Sequence, residues 1–172
     1  MTNEGNLKVT TRGDRELVMT RAFDAPRNLV FDAFTKPELV KQWLLGPPGW
    51  SMPVCEIDLR VGGSYRYVWR KAGVPDMGMG GVYREVVAPE RLVSTEKFDQ
   101  AWYPGEAVGT LVLSEQGGKT TVTQTVLYQS QEARDAVLKS GMEKGVAASY
   151  DRLGVLLAKL PAQGMEKGAG GS

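Results

Sequence analysis

The sequence predicts an α+β domain in which a long C-terminal helix lies across one curved antiparallel β-sheet. Three observations lead to this fold class. Alternating apolar and polar residues run from Met52 to Gln129, with short glycine-rich turns that suit antiparallel neighbours. Two short amphipathic segments follow the first strand. Residues 130–160 then place apolar side chains at the period of an α-helix.

The two ends of the chain are polar and lack this patterning. We expect residues 1–15 to be flexible, with at most one short strand near Leu7–Thr10. Residues 16–160 form the single predicted domain, which is long enough to bury a core of its own. Pro161 ends the last helix, and the small polar residues 161–172 predict a disordered tail.

Composition and charge narrow the classes of function. Of the 172 residues 42% are hydrophobic and 24% are charged, and the formal net charge is +1. The chain therefore lacks the charge excess that binds nucleic acid or an acidic membrane surface. It begins without an apolar signal segment, and no stretch is long enough to span a bilayer. Cys55 is the only cysteine, which excludes an intrachain disulfide. Together these features predict a cytoplasmic protein.

The chain contains no histidine. Ser-His-Asp and Cys-His nucleophile systems are therefore excluded, and the single cysteine leaves too few ligands for a zinc site. No phosphate-binding glycine motif opens a helix, because Gly78-Met79-Gly80-Gly81 lies among strand residues. The sequence predicts neither a metal site nor a cofactor.

The first strand and the two short helices have clear boundaries. Glu16–Phe23 alternates, as a half-buried strand does. Asp24-Ala25-Pro26 starts the first helix, with proline near the position where its missing N–H costs nothing. Thr35-Lys36-Pro37-Glu38 has the form of a capping box for the second helix, which ends near Trp43. Helices this short need a larger surface to pack against.

An apolar loop follows the second helix. Gly46-Pro47-Pro48-Gly49 cannot continue a helix or a strand, and Trp43 and Trp50 flank it. One explanation is that the loop folds back and covers one end of the core. The other, which we favour, is a lid, with both tryptophans bordering the mouth of a cavity and partly exposed.

Six further strands complete a predicted sheet of about seven. Gly62-Gly63 and Gly117-Gly118 are predicted hairpin turns between them. Because such a sheet buries one face, alternate side chains of each strand should point at the last helix. The six strands are Met52–Leu59, Ser64–Arg70, Met79–Val87, Arg91–Phe98, Glu106–Leu113 and Lys119–Tyr128.

Strand alternation selects the residues that face the helix. Tyr65, Tyr67 and Trp69 share one face, which we assign to the interior. The same alternation places Glu96 and Gln124 inside, where polar groups need partners.

Three explanations for these interior polar residues stay open. In the first, Glu96 forms a structural ion pair with Arg21 of the first strand. In the second, a few polar groups converge in an apolar pocket, as in most small-molecule sites. In the third, the phase of the alternation is wrong by one residue.

Ser130–Leu160 is predicted to be one continuous helix. Ser130 suits the N-cap position. The apolar stripe of this helix is large at both ends and small at its centre, where Gly145 and Ser149 lie with Gly141 nearby. Glycine weakens a helix, so these residues need a reason. Two explanations for these small residues are equally good. Either they allow bulky groups opposite the helix to come close, or they leave space for a ligand.

Short motifs spread over the chain carry a resemblance to a known family. They are Phe23-Asp24-Ala25-Pro26-Arg27, Thr35-Lys36-Pro37-Glu38 with Trp43, Gly46-Pro47, Glu56-Ile57-Asp58-Leu59-Arg60 with Gly62-Gly63, Gly80-Gly81-Val82-Tyr83, Pro89-Glu90-Arg91-Leu92-Val93, and Gly141-Met142 with Gly145, Ser149 and Arg152-Leu153. From about Glu16 to Leu160 the chain resembles the Hsp90-ATPase-activator-like branch of the START/Bet v 1 (SRPBCC) superfamily. The resemblance implies the helix-grip fold. Leu44-Leu45 stand before Gly46 where members commonly have two aromatic residues.

The resemblance also implies a cavity between the last helix and the sheet, in a superfamily that includes carriers, cyclases, receptors and a co-chaperone domain. Our first hypothesis is a protein that binds a small, largely apolar, aromatic-containing molecule in this cavity. The candidate ligand-binding residues are Trp43, Trp50, Tyr65, Tyr67, Trp69, Tyr83, Phe98, Gln124, Tyr128, Met142, Gly145 and Ser149.

Two other functions stay open. A cavity enzyme (a cyclase, hydrolase or lyase) would use Glu96 as its catalytic acid–base group, helped by Tyr65, Tyr67 or Arg21, because burial raises the pKa of a carboxyl. A module acting on an Hsp90-type chaperone would need an exposed apolar patch outside the cavity. The sequence leaves a homodimer open and indicates no nucleic-acid or membrane partner.

Overall fold

The computed structural model describes residues 7–100 and 105–160, and it has the predicted α+β helix-grip architecture. Eight strands and four helices are present in these residues. The strands are β1 (Lys8–Arg12), β2 (Glu16–Phe23), β3 (Ser51–Ile57), β4 (Ser64–Lys71), β5 (Val74–Val87), β6 (Arg91–Phe98), β7 (Ala107–Gln116) and β8 (Lys119–Leu127). The helices are α1 (Arg27–Thr35), α2 (Pro37–Trp43), α3 (Gln131–Lys139) and α4 (Met142–Lys159). None of the helices in the described ranges is long and apolar enough to cross a membrane.

The strands form one antiparallel sheet in the order β1-β2-β8-β7-β6-β5-β4-β3. The helices α1 and α2 carry the chain from β2, near one edge, to β3 at the opposite edge. The short strand expected near Leu7–Thr10 is β1, so the flexible segment expected over residues 1–15 does not extend over residues 8–12. The predicted disordered tail, residues 161–172, lies outside the described residues.

Both predicted hairpins are present. Gly117 and Gly118 form the turn between β7 and β8, with φ values of 62° and 81°. A type I′ turn requires positive φ at both central residues, which glycine adopts without strain. Gly62-Gly63 ends the wider β3–β4 connection, in which Gly63 N donates to Arg60 O at 2.8 Å.

The C-terminal helix is broken, so the prediction of one continuous helix over Ser130–Leu160 is wrong. Ser130 caps α3 as expected, because its Oγ accepts a hydrogen bond from Ala133 N at 3.0 Å. The chain then leaves the helix at Ser140, and Gly141 takes a left-handed conformation with φ of 85° before α4 begins. Glycine at this position ends one helix as a left-handed cap, which is its commonest use near a helix end.

The break lets the two helices pack on different parts of the core. α4 covers the main cluster, in which Leu153 is fully buried together with Trp43 of α2. α3 contributes Ala133 and Val137 to a smaller cluster around Leu17 of β2. Side chains of both clusters line one cavity.

Candidate functional site

A cavity of about 340 Å³, partly open to solvent, lies between the sheet and the helices. This volume is at the lower end of the range for small-molecule sites, roughly 300–1,000 Å³. Ten of the residues that the sequence analysis selected line it. They are Trp43, Tyr65, Tyr67, Trp69, Tyr83, Glu96, Phe98, Gln124, Tyr128 and Met142.

Aromatic rings from three neighbouring strands form one side of the cavity. Ring centroids are 5.1 Å apart for Tyr65 and Tyr67, 5.5 Å for Tyr65 and Tyr83, and 5.8 Å for Tyr67 and Trp69. Phe98 continues the series at 6.5 Å from Trp69. Because strand side chains alternate, the two-residue spacing of β4 places three of these rings in a row. We call these five rings the aromatic wall.

Two polar side chains converge on one point of the cavity. A Cβ atom on Gly109 of β7 would lie 2.5 Å from Glu96 Oε2 and 2.8 Å from Gln124 Nε2. In the sheet register Gly109 pairs with Ser94 of β6 and Val126 of β8. Glu96 and Gln124 therefore reach Gly109 along the two diagonals, where side chains of adjacent strands still meet. The missing side chain at Gly109 leaves the space that both groups occupy.

Glu96 is half-buried and lines the cavity. Burial raises the pKa of its carboxyl from 4.5 to about 7. Burial is the only cause of this shift, since no residue in the described ranges donates a hydrogen bond to the carboxyl or forms a salt bridge with it. The group is therefore poised between its neutral and charged forms near neutral pH.

The ion pair between Arg21 and Glu96, the first of the three explanations, is not formed. Arg21 Nη1 instead donates to Asp151 Oδ1 of α4 at 2.7 Å. Its guanidinium carbon also lies 5.0 Å from the centre of the Phe23 ring. Of the three explanations for the interior polar residues, convergence in an apolar pocket is the one that agrees with the structure.

Buried tyrosines near Glu96 remain protonated. Burial raises the pKa of Tyr65, Tyr67 and Tyr150, and the negative charge of Glu96 raises it further in each case. Tyr65 Oη donates to Thr95 O at 2.6 Å. These phenols are therefore neutral hydrogen-bonding groups and not bases.

The two tryptophans of the predicted lid have different positions. Trp43 is 1% exposed, lines the cavity from inside the core, and its Nε1 donates to Ala33 O at 2.8 Å. Trp50 does not line the cavity, and its ring lies 5.8 Å from Lys71 Nζ. The expectation that both tryptophans border the cavity and stay partly exposed is therefore wrong. Trp43, at the end of α2, is buried in the core, and Trp50, directly before β3, lies outside the cavity.

The loop between them is fastened to its neighbours by hydrogen bonds. Gly46 N donates to Ser149 Oγ at 2.8 Å, and Arg152 Nη2 donates to Gly46 O at 2.7 Å. On the other side, Trp69 Nε1 donates to Leu44 O at 2.7 Å. These hydrogen bonds hold the loop over the core, which agrees with the first of the two explanations that its sequence allowed.

Gly145 and Ser149 do not line the cavity. A Cβ atom on Gly145 would lie 3.5 Å from Pro47 Cδ, an ordinary van der Waals contact. Ser149 is buried against the same loop, whose Gly46 it binds. Of the two explanations left open for these small residues, the structure agrees with close approach of this loop. Gly145 and Ser149 were among the candidate ligand-binding residues, and the cavity does not support that assignment.

Two glycine variants test this account of the helix. Gly145→Ala should raise the free energy of unfolding by about 0.5–1 kcal/mol, because alanine is the better helix former and its methyl group fits. Gly141→Ala should lower it by roughly 1–2 kcal/mol, because alanine resists the left-handed conformation. Urea unfolding measures both. Destabilisation by Gly145→Ala, or a neutral Gly141→Ala, would contradict the geometry.

Other residues that line the cavity were not among the candidates from the sequence. Alternation on β6 places Ser94 on the interior face, and alternation on β7 would do the same for Gly109, but neither small residue signals a cavity by its size. Tyr150 lies next to Ser149 and was missed because the apolar stripe was placed one position away. The missed lining residues are Met19, Phe34, Val40, Leu44, Met79, Leu92, Ser94, Gly109, Leu111, Val126, Val137, Val146 and Tyr150.

Fold and site together define a helix-grip protein with an aromatic cavity between its helices and its sheet. The chain belongs to the family described as Activator of Hsp90 ATPase homolog 1-like protein, whose sequence profile matches residues 24–158. No curated protein matches the chain.

Several solved structures are similar to this one over most of their length. A protein from Rhodobacter sphaeroides is 31% identical with a TM-score of 0.85, and the match covers 91% of this chain and 100% of that one. A protein from Staphylococcus epidermidis is 30% identical with a TM-score of 0.75, covering 94% of this chain and 96% of that one. A protein from Chromobacterium violaceum is 27% identical with a TM-score of 0.70, covering 82% of this chain and 96% of that one.

Proposed function

We propose that this protein binds a small, largely apolar molecule with an aromatic ring in the cavity between the helices and the sheet. The observation that carries this proposal is the composition of the cavity surface. One side is the aromatic wall, and only a few polar side chains, Glu96 and Gln124 among them, interrupt the apolar lining. Apolar cavities with a few convergent polar groups are typical of small-molecule sites.

Binding suits the cavity better than catalysis. A carboxyl with a pKa of about 7, as Glu96 has, is suited to general acid–base work. A reaction would need a second group that gains or loses a proton near the same pH. The neighbouring phenols Tyr65, Tyr67 and Tyr150 have raised pKa values, and burial raises the pKa of the Cys55 thiol to about 11. None of these groups is activated as a base or a nucleophile.

A cavity-filling variant tests the proposal. Val146 of α4 lines the cavity, and Val146→Trp should weaken binding of the neutral dye N-phenyl-1-naphthylamine by about tenfold or more, because the indole takes the space of the dye. Fluorescence titration measures the affinity.

The matched control is on the outer face of the same helix. Val155 is 58% exposed, so Val155→Trp should leave dye binding unchanged. Equal effects of the two substitutions on dye binding would overturn the proposed function.

A further inference from the structure

We propose that the ligand is an organic cation, an aromatic or apolar amine whose ammonium group lies between Glu96 and the aromatic wall. This inference rests on the proposed function and specifies the chemistry of its ligand. It follows from what surrounds Glu96 and from what that residue lacks.

Within residues 7–100 and 105–160, Glu96 has no positively charged partner. Arg21 is the cation whose charge reaches this part of the cavity, and it is held by Asp151 at 2.7 Å. A carboxylate enclosed by protein is costly unless a cation or several hydrogen bonds compensate it. In the described part of the chain neither is present. An ammonium group in the cavity would supply the missing charge and up to three N–H donors.

Gln124 provides a second acceptor at the same place. Its amide meets the Glu96 carboxyl above Gly109. A half-turn of the amide exchanges its nitrogen and oxygen, and no hydrogen bond from residues 7–100 or 105–160 holds it in one orientation. With the oxygen turned to the cavity, the amide and the carboxylate accept from two N–H groups of one ammonium ion.

The aromatic wall suits the same charge. Tyr65, Tyr67 and Tyr83 form a cluster with centroid distances of 5.1 and 5.5 Å, and Tyr67 contacts Trp69 at 5.8 Å. The faces of such rings carry negative electrostatic potential, and they attract ammonium groups within about 6 Å of the ring centre. Rings and carboxylate together would bind a cation, and the apolar remainder of the cavity would hold the hydrocarbon part of the amine.

Other ionisable groups around Glu96 do not alter this assignment. Its cavity neighbours are tyrosines: Tyr65 and Tyr67 of β4, Tyr83 of β5, Tyr128 after β8 and Tyr150 of α4. Burial raises the pKa of the first three and of Tyr150, so they stay neutral. The remaining charged groups, Arg21 of β2 and Asp151 of α4, form an ion pair with each other.

A matched pair of probes tests the cation. The probes are 2-naphthylmethylammonium and 2-naphthylmethanol, which share ring and length and differ in charge. At about pH 8 Glu96 is ionised and the alkyl amine is still protonated. Calorimetric titration should then show the ammonium probe binding about tenfold tighter than the alcohol. At about pH 5.5, where Glu96 is neutral, this preference should largely disappear.

Two variants that each remove one negative charge test whether Glu96 causes the preference for the ammonium probe. Glu96→Gln should weaken binding of the ammonium probe at about pH 8 by at least about tenfold. Glu90→Gln removes the same charge from the exposed turn between β5 and β6, and it should leave the affinity unchanged. The pH series on the unmodified protein tests the same point without a substitution.

The remaining outcomes separate the two proposals. If the alcohol binds as tightly as the ammonium at about pH 8, the ligand is not a cation, although the cavity is still a binding site. The same holds if the neutral dye binds and neither naphthyl probe does. If neither the dye nor the probes bind, the proposed function fails, and the inference built on it fails as well.

Discussion

Trp43→Ala should lower the free energy of unfolding by about 3–5 kcal/mol. The side chain is 1% exposed and lies against Phe34, with ring centroids 4.8 Å apart, and against Tyr150 at 5.9 Å. Alanine would remove these contacts, leave a hole beside the existing cavity, and leave Ala33 O without the hydrogen bond from Nε1. Urea unfolding followed by circular dichroism measures the change.

Trp50→Ala is the matched control for this prediction. The ring is half-buried, lies outside the cavity, and has a lysine ammonium 5.8 Å from its centre. Its removal should cost about 1 kcal/mol or less. Similar losses of unfolding free energy for Trp43→Ala and Trp50→Ala would contradict the positions of the two rings in the structure. Such a result would favour the lid hypothesis, in which both rings border the cavity and are equally exposed.

Glu96→Gln should stabilise the protein by about 3 kcal/mol at alkaline pH and by much less at acidic pH. The pKa of the carboxyl is about 7 in the folded state and 4.5 as an ordinary carboxyl. The folded state therefore holds the proton more tightly than the unfolded state between these two values. The parent protein is therefore most stable below about pH 4.5, and its stability falls as the pH rises from about 4.5 to about 7. The cause is that ionisation of the carboxyl is penalised only in the folded protein. Glutamine has the shape of the neutral acid and carries no such penalty.

Unfolding of the parent and of the variant at about pH 5 and about pH 8 measures this difference. The two proteins should differ little at the acidic pH, and the variant should be more stable at the alkaline pH. Glu90→Gln, on the surface, should show no comparable pH-dependent gain. A stability difference that does not change with pH would mean that the Glu96 carboxyl has an ordinary pKa and that solvent in the cavity screens it.

Strand periodicity accounts for the part of the cavity that the sequence predicted. A period of two places Tyr65, Tyr67 and Trp69 on one face whatever the exact ends of β4, so small boundary errors do not matter. The same rule placed Glu96 and Gln124 inside. Their convergence could not be predicted, because it depends on the registers of β6, β7 and β8 together. Register follows from the whole set of hairpin lengths and not from any one strand.

The errors fall where a periodic signal is absent or misleading. The apolar repeat runs through Gly141 without interruption, so it could not show that this residue takes a left-handed conformation and ends α3. The segment around Trp50 has no period, and its direction depends on β3 and on hydrogen bonds with α4. Gly145 and Ser149 were correctly identified as positions of close approach or open space, and only the neighbouring loop distinguishes the two.

The sheet order has a consequence for how this chain folds. β2 lies between β1 and β8, and Glu16 pairs with Leu127. The early hairpin therefore cannot join the rest of the sheet until more than a hundred residues have been synthesised. Closing so long a loop costs entropy before any of its contacts form, which slows folding of such topologies. Until β8 and α4 leave the ribosome, the apolar face of the sheet is covered only in part, by α1 and α2. The last third of the chain, from β8 onward, thus completes the sheet and also protects it from aggregation.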